Sequence, residues 1–320
     1  MQPLQPCDNS VRPAKSGKPT SVRIIGVPMD LEAGRRGVDM GPSAIRIGRR
    51  SQKLRKMGLK VKDVGNIEVR IPEEVPYGEK NQRYLAEISE ACARLSERVL
   101  STLRGGQFPL VLGGDHSIAA GSIAGVSAFY RQQGQRIGLI WIDAHTDMNT
   151  PRTSPSGNVH GMPLAALFGL GPTELSEIQG FSPKIDATHT TLVGVRSVDP
   201  SEKANIEGIG LRVVTMKELD MRGMGGVLEE ALDRASDGTV GFHCSFDLDV
   251  VDPQVSPGVG SPVAGGITYR ESHLAMEMIA DSFKLISMEF VEVNPVLDVS
   301  NRTGLLAAEL ICSALGKKIL

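Results

Sequence analysis

The chain lacks any apolar run near the roughly 18 residues that a membrane-crossing helix needs, so a soluble globular protein is expected. It also lacks charge of one sign. The balance of 35 basic against 37 acidic residues, with no basic cluster interleaved with aromatics, argues against a nucleic-acid or anionic-membrane partner and for a small-molecule substrate. Cysteine is sparse: Cys7, Cys92, Cys244 and Cys312 form no C-x-x-C pair, which speaks against a disulfide framework or a thiolate zinc site and for reduced thiols in the cytoplasm. Residues 1–20 are polar and rich in Pro and Lys, without an apolar signal core, and are expected to form a flexible tail. There is no internal repeat, low-complexity tract or Pro/Gly/Ser-rich linker, so residues 21–320 are read as one domain.

What the chain does contain is 41% apolar residues over 320 positions, enough for a sizeable core. Short Val/Ile/Leu runs alternate with longer stretches of helical period, the pattern of a parallel sheet covered by helices on both faces. Strands are predicted at 22–26, 59–64, 108–112, 137–142, 191–195, 240–246 and 285–293. A helix is predicted over 81–103, where Leu85, Ile88, Cys92, Leu95 and Val99 recur at steps of three and four, with further helices at 269–282 and 304–315.

Three stretches directly after predicted strands carry acids and imidazoles two residues apart: Gly113-Gly114-Asp115-His116, Asp143-Ala144-His145-Thr146-Asp147 and Asp247-Leu248-Asp249. In an extended chain such residues face one way. The Gly-Gly-Asp-His turn alone is compatible with ordinary backbone capping. Two carboxylate files at strand ends are harder to explain, because buried carboxylates need a compensating cation. Surface carboxylates capping neighbouring helices are the competing explanation. His116, Asp143, His145, Asp147, Asp247 and Asp249 make six donors dominated by oxygen, more than one zinc takes, and suit two hard or borderline ions such as Mn²⁺. Such a pair lowers the pKa of a shared water from about 15.7 toward neutrality, which implies hydrolysis. Ligands of open α/β sheets gather at the carboxyl ends of the strands, where all these motifs sit.

The motifs Gly113-Gly114-Asp115-His116-Ser117, Asp143-Ala144-His145-Thr146-Asp147 and Ser245-Phe246-Asp247-Leu248-Asp249 with Asp252-Pro253 resemble the three signatures of the ureohydrolase (arginase/agmatinase) family. The resemblance covers about residues 20 to 315, with Gly34 to Pro42 and Glu292-Val293-Asn294-Pro295 near its ends. It implies a three-layer α/β/α fold around a central, mostly parallel sheet, two Mn²⁺ per subunit, and hydrolysis of a guanidino compound with release of urea. His116, Asp143, Asp147 and Asp249 are then expected around one ion, with His145, Asp143, Asp147 and Asp247 around a second or shared one.

The segment Asn149, Ser156 and Asn158 is similar to the loop that holds the α end of arginine in the arginine-hydrolysing branch, with Asp199 facing the α-ammonium; turn chemistry is the ordinary explanation for such residues on their own. L-arginine is thus the expected substrate, giving L-ornithine and urea, with agmatine or a guanidino acid as the alternative. The resemblance assigns Glu292 to the guanidinium, whose N–H fork matches a carboxylate. It makes Asp147 the proton carrier and His160 the acid/base or shuttle. Ser261 stands where Thr is usual, and Ser197 where many animal members have Asp. A homo-oligomer, trimer or hexamer, is implied as well. A metal-dependent regulator without turnover would need a broken donor set. The glycines of Arg222 to Gly226, which superficially suggest a dinucleotide site, have no predicted strand leading into them.

Overall fold

Eight strands lie side by side in one sheet, every neighbouring pair parallel. The computed structural model describes residues 17–31, 35–48 and 50–318; most of the expected tail, Cys7 and Gly34 fall outside them. In chain order the strands are β1 (Ser21–Val27), β2 (Lys60–Asn66), the short hairpin β3 (Gly78–Glu79) and β4 (Gln82–Arg83), β5 (Phe108–Gly113), β6 (Gly138–Ile142), β7 (Thr190–Val195), β8 (Arg212–Thr215), β9 (Phe242–Asp247) and β10 (Leu285–Val291). The main sheet runs β2-β1-β5-β10-β9-β6-β7-β8, with the hairpin apart from it.

The helices are α1 (Gly41–Ile47), α2 (Arg50–Lys56), α3 (Leu85–Arg104), α4 (Ala119–Arg131), α5 (Pro163–Leu167), α6 (Thr173–Ser176), α7 (Lys203–Ile209), α8 (Met216–Ser236), α9 (Tyr269–Asp281) and α10 (Arg302–Ala314). Side-chain alternation along the strands divides the core into two halves. Leu110, Leu112, Ile140, Ile142, Met288 and Phe290 pack with α1, α2, α8, α9 and α10. Val111, Leu139, Trp141 and Val291 pack with α3, α4, α5 and α6 on the other face. The result is the expected three-layer α/β/α arrangement, and burial on both faces is why the central strands read as continuous apolar runs.

Several expectations need adjusting. The helix predicted from residue 81 starts at Leu85, because 78–83 fold back as the hairpin and Tyr84 takes a left-handed φ of 50°. The last strand stops at Val291 rather than 293, since Glu292 has φ 65° and leaves the ladder. Strand β8 and helices α4 and α8 were not anticipated. Arg222 to Gly226 lies within α8, interrupted at Gly223 (φ 74°), and is no strand-to-helix phosphate turn.

Sequence-distant strands β5, β10, β9 and β6 are adjacent in the middle of the sheet. Their carboxyl ends deliver, in that order, His116, Glu292, Asp247 with Asp249, and Asp143 with His145 and Asp147.

Candidate metal centre and substrate cavity

Each donor is aimed by local backbone chemistry. Asp115 caps the turn after β5, accepting from Ser117 N at 3.1 Å, and so turns His116 inward. Asp247 caps the next turn in the same manner, accepting from Asp249 N at 2.7 Å. Asp143 accepts from His145 N at 2.6 Å and from Trp141 Nε1 at 2.9 Å, while the Trp141 ring stacks on that of His116 at 4.1 Å between centroids. Asp147 reaches its place through a left-handed φ of 50°. Asp252 accepts from Gln254 N, Gly265 N and Gly266 N and is a loop brace, not a donor to the cluster.

The six predicted donors converge, but their grouping differs from expectation. His116 Nδ1 lies 3.1 Å from Asp143 Oδ2, 3.2 Å from Asp147 Oδ2 and 3.1 Å from Asp247 Oδ2. His145 Nδ1 lies 3.0 Å from Asp249 Oδ2 and 3.6 Å from Asp143 Oδ1. Asp247 therefore belongs with His116 and Asp249 with His145, the reverse of the predicted exchange, and Asp143 joins the two groups. The turn after β9 separates them: Asp247 caps the 3-10 turn Leu248–Val250, and Asp249 sits two residues further on inside that turn.

Buried atoms here are left for a cation to satisfy. His116 Nδ1 and Asp147 Oδ2 are shielded from water and have no hydrogen-bond partner, a costly condition unless something electropositive sits between them. Burial and the neighbouring acids Asp249 and Asp143 hold the Asp247 pKa well above the carboxylate range. Burial alone would lower the His116 pKa, yet Asp143, Asp247 and Asp147 raise it well above the ordinary value. The cluster thus favours positive charge at its centre, and its donor set fits divalent ions.

The far nitrogen of His116 is fixed as well. Nε2 lies 2.8 Å from Ser245 Oγ, which donates its only proton to Glu289 Oε1 at 2.8 Å. Ser245 must then accept from Nε2–H, leaving the Nδ1 lone pair for the cluster. Glu289 is fully buried and is also held by Ser122 Oγ, with His243 beside it and Ser287 bonded to His243. His243, His189 and His273 stay outside the cavity. Sequence reading placed Ser245 in a motif without giving it a task, and missed Glu289 and Trp141.

Glu292 meets the centre from β10. Its Oε1 accepts from His116 N at 3.0 Å and sits 3.4 Å from His160 Nδ1, whereas Oε2 is buried without a partner. A Cβ at Gly260 would stand 2.6 Å from that oxygen, so glycine keeps the approach to it open. Burial would lower the His160 pKa, but Glu292, Asp115 and Asp147 push it up to about 9.

A cavity of about 670 Å³, open to solvent, is lined by His116, His145, Asp147, Asp247, Asp249, Glu292 and His160 together with Asn149, Ser156, Asn158, Asp199, Ser197 and Ser261. Every predicted substrate contact therefore shares one space with the metal cradle; Asp143 lies just beneath it. Asn149 Nδ2 donates to Asp199 Oδ2 at 2.9 Å. Glu202, not anticipated from the sequence, accepts from Met148 N and Asp199 N at 3.0 and 2.8 Å and clamps the two loops together.

A parallel sheet flanked by helices, with oxygen-rich donors massed at its carboxyl edge beside a polar cavity, defines a metal-binding α/β protein of the hydrolase type. The family model described as Arginase family matches residues 20–316, and the chain belongs to that family. It is 49% identical to the arginase of Brevibacillus brevis over 300 residues, covering 94% of this chain and 99% of that one. The crystal structure of Bacillus caldovelox arginase superposes with a TM-score of 0.89 at 48% identity, covering 95% of this chain and all of that one. An Entamoeba histolytica arginase solved in complex with L-ornithine gives a TM-score of 0.85 at 32% identity, again over 95% of this chain and all of the other.

Proposed function

We propose that this chain hydrolyses L-arginine to L-ornithine and urea, using two Mn²⁺ held by His116, Asp143, Asp147, Asp247, His145 and Asp249. The observation that carries this reading is the single cavity in which five of these donors, the unpartnered Glu292 oxygen and the polar Asn149, Ser156, Asn158 and Asp199 meet. When bound, the two cations bring a water's pKa down from about 15.7 toward neutrality. Agreement with relatives that are arginases, one of them solved with L-ornithine, supports the same substrate.

Each residue then has a defined task. Glu292 Oε2 accepts from the guanidinium; its other oxygen is pinned by His116 N and His160, so the carboxylate holds one orientation. Asn149, Ser156 and Asn158 donate to the α-carboxylate, and Asp199 pairs with the α-ammonium. Water oxygen adds to the guanidinium carbon, Asp147 carries one of its protons to the chain nitrogen, and the bond from the carbon to that nitrogen breaks. The second proton leaves the oxygen for solvent as the urea carbonyl forms, and His160, reprotonated from solvent, donates a proton to the released amine. Ser261 sets the wall beside Glu292.

The sheet draws strands from the whole described chain, which supports one domain over residues 21–320. The family resemblance supports a homo-oligomer, trimer or hexamer. We place the protein in the cytoplasm; among the described residues no helix is long and apolar enough to cross a membrane. Urea release from arginine, agmatine and guanidino acids, measured after loading metal-free protein with Mn²⁺, Co²⁺ or Zn²⁺, tests the reading. Arginine with Mn²⁺ should be fastest, and faster release from agmatine would overturn the substrate.

A further inference from the structure

The cavity-lining Asn158 is gripped from outside by a cation. Arg83 ends β4, and its Nη1 donates to Asn158 Oδ1 at 3.0 Å. Its backbone N donates to Gly157 O at 3.0 Å, and its guanidinium lies over the Tyr77 ring at 4.8 Å from the centroid. Elsewhere in the hairpin turn, Asn81 Nδ2 donates to Pro151 O at 3.2 Å. Gly157, at φ 76°, sits so close that a Cβ there would stand 2.0 Å from Lys80 O. The hairpin and the 151–158 loop are one packed unit.

Arginine has only donors, so the Asn158 amide can face it with oxygen alone. The amide NH₂ is then the half left for the cavity that Asn158 lines. An unrestrained asparagine turns either way, and its acceptor face would repel a carboxylate. We propose that Arg83 is a positioning residue for substrate selection: it locks the Asn158 amide with its donors toward the cavity and adds positive charge behind it, so that the site favours a guanidino substrate carrying an α-carboxylate. Stacking on Tyr77 and the backbone bond to Gly157 keep the guanidinium in register, so little ordering remains to be done when substrate arrives. This rests on the substrate reading proposed above.

The test is steady-state urea release from arginine and from agmatine, which lacks the carboxylate, by the Mn²⁺-loaded full chain. In Arg83→Met the KM for arginine should rise about tenfold with kcat unchanged, as expected for loss of a charge-assisted hydrogen bond that acts on binding alone. Agmatine kinetics should not move. Arg83→Lys, again a pure donor, should recover most of the loss. In an Asn158→Ala background the Arg83→Met effect should vanish, which a general loosening of the loop would not produce. Should Arg83→Met fold poorly by circular dichroism, Arg83→Leu gives the same comparison. Equal losses on both substrates, a fall in kcat, or unchanged discrimination would overturn the role of Arg83. Wild-type preference for agmatine would instead overturn the substrate reading, so the two failures are told apart.

Discussion

At the scale of single residues, the centre depends on acids whose positions are set by one backbone turn each. Asp247→Ala removes a partner of His116 and should cost both bound metal and activity, read by metal analysis of dialysed protein; full metal content with normal turnover would contradict the assignment. His160 is not among the proposed metal donors, so His160→Ala should keep its metal while losing roughly 10²- to 10⁴-fold in kcat, the usual worth of a general acid or base. Ser245→Ala frees His116 to choose either tautomer, and metal affinity should fall about 10- to 100-fold with little change in fold. His160 also gives a pH signature in the metal-free protein. Its pKa, about 9, lies above the unfolded value of about 6.5, so its stabilising contribution is complete below about pH 6.5 and is lost as pH rises through about 9. Urea unfolding at a series of pH values should show that decline, and His160→Asn should flatten it.

Elements, rather than residues, decide which parts of the molecule could be read in advance. The central strands announced themselves because burial on both faces leaves them uniformly apolar. Strand β8 did not: Arg212 to Thr215 is four residues at the sheet edge, half-buried, with little pattern to detect. Helix α4 is buried on every side, so its Ala, Gly and Ser positions carry no stripe, and the glycines of α8 mask its period. The clustering of the proposed metal donors was legible because strand ends fix which way a two-residue repeat faces. Their division into two groups was not, because it depends on β9 lying between β10 and β6, a neighbour relation that no local pattern encodes. The hairpin left no mark either, since Arg83 matters only through Asn158, seventy-five positions away. Its contact with the loop makes a sharp prediction: Gly157→Ala forces Lys80 and the loop apart and should raise the KM for arginine while metal content stays normal.

For the molecule as a whole, the sheet concentrates four carboxylates within its buried carboxyl edge, where mutual repulsion and desolvation oppose folding. Asp143, Asp147, Asp247 and Asp249 come from two strand ends that meet only in the finished fold, so an unfolded chain has no comparable site. Cations that bind the folded form alone therefore stabilise it by mass action, by about 2.7 kcal/mol for one site at a hundred times its Kd. Removing metal with a chelator should lower the Tm by several degrees, and adding Mn²⁺ back should restore it in a concentration-dependent manner. In Asp247→Asn the repulsion is relieved while a ligand is lost. The metal-free variant should then melt at or above the metal-free parent, yet gain much less from Mn²⁺. A parent whose melting ignores both chelator and Mn²⁺ would show that the acids are balanced internally and that the edge of the sheet is not a metal cradle.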